Sequence, residues 1–190
     1  MACAITDLKI SGGATSSCAT SIGGIDKVWL FNCDDLDVED VTVTEGTNIC
    51  QVTGVTFGAA NVLAEFEFTQ NKTAFFNESQ ANAGEAVDLN LLFQYEGLSS
   101  EKIKTLNALK SCCCLGAFVQ YKSGLIRMIG YDYDPDTDTV SKVPTPLKLK
   151  GSTQSGTGNN DKELTIFEFT GQGKCFMLDT TLTAAALNAL

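Results

Sequence analysis

The chain contains no histidine in its 190 residues. That absence removes the usual general base, the Ser/His and Cys/His dyads and most zinc and iron sites together. An enzyme built on this sequence would have to work with carboxylates, lysine or tyrosine, and no pair of these is singled out by spacing, so no catalytic role is expected. Basic residues are also scarce, 13 against 23 acidic ones, for a net charge of -10. A surface of that sign repels phosphate backbones, which excludes a protein that grips DNA or an anionic lipid surface. No segment is long and apolar enough to cross a bilayer, so no membrane partner is expected. Nor does a phosphate loop occur: Gly12-Gly13 and Gly23-Gly24 are not followed by Gly-Lys-Ser/Thr.

The eight cysteines, at positions 3, 18, 33, 50, 112, 113, 114 and 175, include no Cys-x-x-Cys pair. Three adjacent cysteines do not converge on one metal, which argues against zinc and iron-sulfur sites, and no cofactor is expected. The first residues, Met1 to Lys9, carry neither a basic n-region nor an apolar h-region. The expectation is therefore folding in a reducing cytoplasm, with the thiols unpaired and acting as small buried hydrophobes.

What is present points to β structure. Hydrophobic residues make up 44% of the chain, enough for one core, so a single main domain over residues 25–178 is expected. Ahead of it, residues 1–24 end in a small-residue tract, Ser11 to Gly24, read as an extended N-terminal arm; residues 179–190 read as a C-terminal arm or short helix. Lys27 to Asn32 is the first strand and carries the only tryptophan, Trp29, a core or interface anchor. Further strands are expected at Val41–Thr44, Ile49–Phe57, Leu63–Thr69, Thr73–Phe76, Ala86–Tyr95, Leu147–Lys150 and Glu163–Thr170. Phe66-Glu67-Phe68-Thr69 is repeated as Phe167-Glu168-Phe169-Thr170, with phenylalanines inward and glutamates outward. Polar loops are expected over Asn77–Glu85 and Pro135–Pro146.

The strongest single pattern runs from Leu98 to Tyr133. Ser99 or Ser100 can cap a helix, Glu101 sits in its first turn, and Ile103, Leu106, Leu109 and Cys113 recur at helical spacing. Gly116 is expected to break that helix, about residues 99–112. A hairpin follows, turning at Lys122-Ser123-Gly124, with Leu125, Arg127, Ile129 and Tyr131 along one side of its second strand. The fold class is mainly β, an antiparallel β-sandwich or barrel with one flanking α-helix.

Two constellations are candidates for function. Asp132, Asp134, Asp136 and Asp138 alternate as carboxylates do in calcium loops, although Thr137 stands where such a loop needs glycine and Val143 where it needs glutamate. A solvated acidic turn is the plainer reading. Phe75 and Phe76 are adjacent in a strand, so one of them needs cover from outside its own core.

The strand pair around Glu65-Phe66-Glu67-Phe68 and Thr73-Ala74-Phe75-Phe76-Asn77-Glu78-Ser79 is followed by a long strand. Then come the Ser-Ser-Glu-Lys-Ile-Lys-Thr-Leu helix, the hairpin from Val119-Gln120-Tyr121 to Arg127-Met128-Ile129-Gly130-Tyr131, and the late strand from Leu164 to Phe169. In pattern and order this resembles the tail tube proteins of long-tailed bacteriophages, over roughly residues 63–170. The resemblance implies a structural virion protein, made in the bacterial host cytoplasm, whose copies assemble into stacked, hexameric rings. Its partners would be itself and other tail proteins, with DNA passing an acidic lumen without specific binding. Residues implied in self-assembly are Phe75, Phe76, Asn77, Glu78 and Ser79, with Ile22 and Trp29. Another phage head, connector or decoration protein, or a calcium-binding adhesin or carbohydrate-binding sandwich, is the alternative.

Overall fold

The computed structural model describes residues 24–45, 50–58, 63–68, 73–82, 84–112, 114–134, 136–154, 163–174 and 178–190. The expected N-terminal arm, Ile22 included, lies outside the described residues except for Gly24. The protein is mainly β, with fourteen strands and two α-helices described. In chain order the strands are β1 (Ile25–Asn32), β2 (Val41–Glu45), β3 (Cys50–Val55), β4 (Ala64–Glu67), β5 (Thr73–Gln80), β6 (Val87–Glu96), β7 (Leu115–Tyr121), β8 (Ile126–Ile129), β9 (Tyr131–Asp134), β10 (Thr139–Lys142), β11 (Thr145–Leu149), β12 (Ser152–Gln154), β13 (Leu164–Gly173) and β14 (Leu178–Thr180). Helix α1 spans Ser100–Lys110 and α2 spans Ala184–Leu187.

Twelve strands form one sheet in two leaves, and β9 and β10 form a separate hairpin. The first leaf runs β4-β1-β7-β8-β14-β3-β2, and the second runs β5-β6-β13 with β11 and β12 along the far side of β13. They are stitched together at a single pair, Leu147 of β11 opposite Leu115 of β7. The pairing is antiparallel, as expected of the mainly β fold, apart from β14 against β3, which is parallel.

Two cores result, one on each face of the first leaf. The first lies between the leaves, where Val28 and Leu30 of β1 and Leu115, Ala117 and Val119 of β7 meet Leu89, Leu91 and Phe93 of β6 and Phe167 and Phe169 of β13. Phe93 sits at the centre of its aromatic cluster, within 5.4 Å of the rings of Phe66, Phe68, Phe167 and Phe169. Both Phe-Glu-Phe-Thr repeats thus point their phenylalanines inward. The second core takes the other side of the same strands: Trp29 and Phe31 from β1, Phe118 from β7, Ile126 and Met128 from β8, Leu178 from β14. Leu36, the β9 tyrosines Tyr131 and Tyr133, and Leu187 of α2 cover it.

Helix α1 starts where its cap predicts, Ser99 Oγ accepting from the Lys102 N–H. Leu109 reaches the first core with Leu106 beside it, whereas Ile103, expected on the same stripe, stays largely exposed. The helix ends before the cysteine run. Gly116 lies inside β7 and not at the helix end, because it faces Phe31 across the ladder and a Cβ there would sit 2.3 Å from the Phe31 ring. The hairpin turn falls at residues 122–124 as expected, with Gly124 at φ 89°. Its second strand breaks, however, at Gly130, whose φ of 119° swings Tyr131 out of line and into the second core. Two expected loops are also partly strand: β5 continues through Asn77 to Gln80, and β10 and the start of β11 lie within residues 135–146.

The thiols are not all free. Cys33 and Cys114 form a disulfide with Cα atoms 5.4 Å apart, closing 81 residues of chain and corrects the expectation of unpaired cysteines. The ladder itself brings them together: Asn32 of β1 pairs with Leu115 of β7, and the residues just beyond each strand end meet. Of the two readings of residues 179–190, the structure has the short helix, α2, which seals the second core, and β14 ahead of it is an interior strand.

Candidate functional site

Strand β5 is the outer strand of the second leaf. It pairs with β6 over all eight of its residues, Thr73 opposite Gln94 through to Gln80 opposite Val87, and no described strand takes up its other side. Ala74 and Phe76 turn inward onto the first core, half-buried, while Phe75, Asn77 and Ser79 lie on the outer face. Phe75 is 53% exposed, the largest exposure among the described large hydrophobics. Of the adjacent pair, Phe75 is therefore the one left without cover.

Glu78 has a different place from its neighbours. Its Oε2 accepts from Arg127 Nη1 of β8 at 2.9 Å, and Arg127 Nε donates to Asp179 Oδ1 of β14 at 2.8 Å. Burial works against the charge on Arg127, but the two carboxylates outweigh it and hold the guanidinium above its ordinary value. This triad ties the outer strand of one leaf to two strands of the other. Nothing local in the sequence signals it, since the three residues are separated by 49 and 52 positions. Glu78 is thus a positioning residue for β5 and not a free surface carboxylate.

Trp29 is 1% exposed, with its Nε1 donating to Asn188 Oδ1 at 2.8 Å. Of its two readings the structure gives the core one. At the other end of the first leaf, β4 is held to β1 by Lys27, whose ammonium bonds Glu65 and Glu67 and is held above its ordinary value by them.

The alternating carboxylates lie on the β9–β10 hairpin but go separate ways. Asp132 is buried, with Oδ2 accepting from the Lys174 N–H at 3.0 Å. Asp134 Oδ1 accepts from the Asp136 N–H within the turn, and Asp138, in the left-handed region at φ 51°, accepts from the Tyr133 hydroxyl. Among the described residues no group of three or more carboxylates and cysteines could hold a metal ion. Asp134 and Asp138 thus bond within the hairpin and Asp132 ties it to Lys174, so the carboxylates do not converge on one point.

The outer face of the second leaf carries a recess that sequence reasoning missed. At Gly171, β11 bulges between Thr145 and Lys148 and presses its backbone against β13, with the Thr145 carbonyl 2.8 Å from where a Cβ would stand. The bulge carries Leu147 across to β7. Beside it is an open groove of about 480 Å³ and mixed character, in which Asn77, Asp88, Asn90, Thr170 and Gln172 stand beside Leu89 and the backbone of Gly171. Searches against family models, curated proteins and solved structures found no match to this chain.

Proposed function

We propose that the chain is a structural subunit that assembles with copies of itself through the open side of β5, in the manner of a phage tail tube protein. One observation carries the reading. Among the described residues no strand pairs with the far side of this eight-residue outer strand, and its sequence, Thr-Ala-Phe-Phe-Asn-Glu-Ser-Gln, has neither lysine nor proline to block pairing. Natural sheets blunt such edges when they are to remain single. Here the sole charge, Glu78, is drawn inward by Arg127, and an exposed phenylalanine stands beside the edge. A second chain adding along β5 would satisfy its backbone groups and cover Phe75.

The reading then extends to stacked rings, hexameric by resemblance, that join other tail proteins in a virion and let DNA pass an acidic wall without sticking. A phage head, connector or decoration role is the nearest alternative and would use the same edge without stacking. Negative-stain electron microscopy of purified protein at rising concentration separates them. Tubes of constant diameter support the tail tube reading and isolated rings the alternative, while particles that stay monomeric at every concentration overturn self-assembly. The double variant Phe75→Lys, Asn77→Lys is expected to keep the fold and abolish the assemblies.

A further inference from the structure

We infer that the groove beside β11 is a binding site for a neutral oligosaccharide. Its origin is architectural. The bulge that lets β11 leave the second leaf at Gly171 opens a recess in an otherwise continuous sheet face. The polar side chains that line it are those that recognise hydroxyl groups, since amides and hydroxyls both donate and accept. Asn77 of β5 stands opposite Asn90 of β6, and Asn90 opposite Thr170 of β13, so three such groups cross the groove in one row. In the next row Gln172 Nε2 donates to Asp88 Oδ1 at 2.7 Å, which fixes both side chains before any ligand arrives.

Asn90 adds an independent observation. Its Oδ1 is buried and has no hydrogen-bond partner among the described residues, so a donor reaching it would make a new bond without breaking one. A hydroxyl donor in the groove reaches it once the amide turns outward. Charge argues against other ligands of similar size. Lys148 is the one cation in the lining and Asp88 offsets it, on a chain of net charge -10, so phosphate and nucleic acid are disfavoured.

The test is amide-resolved NMR titration of the full chain with hexasaccharides of α-1,4-glucose, β-1,4-glucose and β-1,4-N-acetylglucosamine. At least one is expected to give saturable shifts confined to strands β5, β6 and β13 around the groove, with Kd in the range of about 0.1 to 1 mM for so open a site. Gln172→Ala and Thr170→Arg replace exposed side chains, so both are expected to fold and to weaken binding about tenfold or more. Asn90→Ala is expected to do the same. Absence of shifts with all three sugars overturns the inference. So do shifts away from the groove, binding that the variants leave unchanged, or a stronger response at Lys148 to inorganic phosphate.

Discussion

The two leaves of the sheet use their faces differently. In the first leaf, β1 and β7 are buried on both sides: Val28 and Leu30 look into one core while Trp29 and Phe31 look into the other. In the second leaf, β6 and β13 bury one side only, and Asp88, Thr170 and Gln172 remain exposed on the outside. The first leaf is structural throughout. The second has a face and an edge that no described strand covers, and both the proposed assembly surface and the groove lie on it.

Truncation across the two leaves should give the largest contrast. Phe118→Ala in the second core removes a fully buried ring and is expected to cost about 3–5 kcal/mol, whereas Phe75→Ala on the outer strand should cost under about 1 kcal/mol. Urea unfolding of the two variants measures both, and equal losses would break the comparison. Reducing the Cys33–Cys114 bond, which joins the ends of β1 and β7, should lower stability by about 2–4 kcal/mol, read as a fall in Tm on adding reductant. Gly171→Ala should cost about 1–3 kcal/mol, because the added methyl meets the backbone of β11.

The smallest effect expected is on alkaline stability. Burial, then Glu67, pushes Tyr95 up to about 12, and burial likewise raises Tyr121 and Tyr131. A hydroxyl whose pKa is higher in the folded chain stays protonated there while the unfolded chain ionises near 10. Stability should therefore be unaffected by these groups below pH of about 10 and fall above it, as a Tm series against pH would record.

The alternating strands were legible in the sequence because a leaf with one wet face writes its burial as a period of two. Val87, Leu89, Leu91 and Phe93 announce β6, and both Phe-Glu-Phe-Thr repeats announce their inward rings. The capped helix was legible for a similar reason, as Ser99 and the stripe through Leu109 are local signals. In β1, Lys-Val-Trp-Leu-Phe-Asn reads as a strand without saying that a separate core receives Trp29 and Phe31. Gly116 reads as a helix stop because glycine near a helix end suggests a cap, whereas its real requirement is the ring of Phe31 across the ladder. What depends on distant partners left no local trace, as with the Glu78–Arg127–Asp179 triad and the Cys33–Cys114 bond. The groove was hidden for the same reason, being made by a bulge that only the pairing of β11 with β13 and β7 creates.

Hydrogen exchange at a series of protein concentrations tests the central claim, that β5 is an edge awaiting a second chain, most directly. Amides of β1 and β7 should be protected at every concentration, since both of their sides are paired. Amides of β5 that face away from β6 should exchange quickly in dilute protein and gain protection as concentration rises. Exchange in β5 that stays the same across the series would contradict the claim.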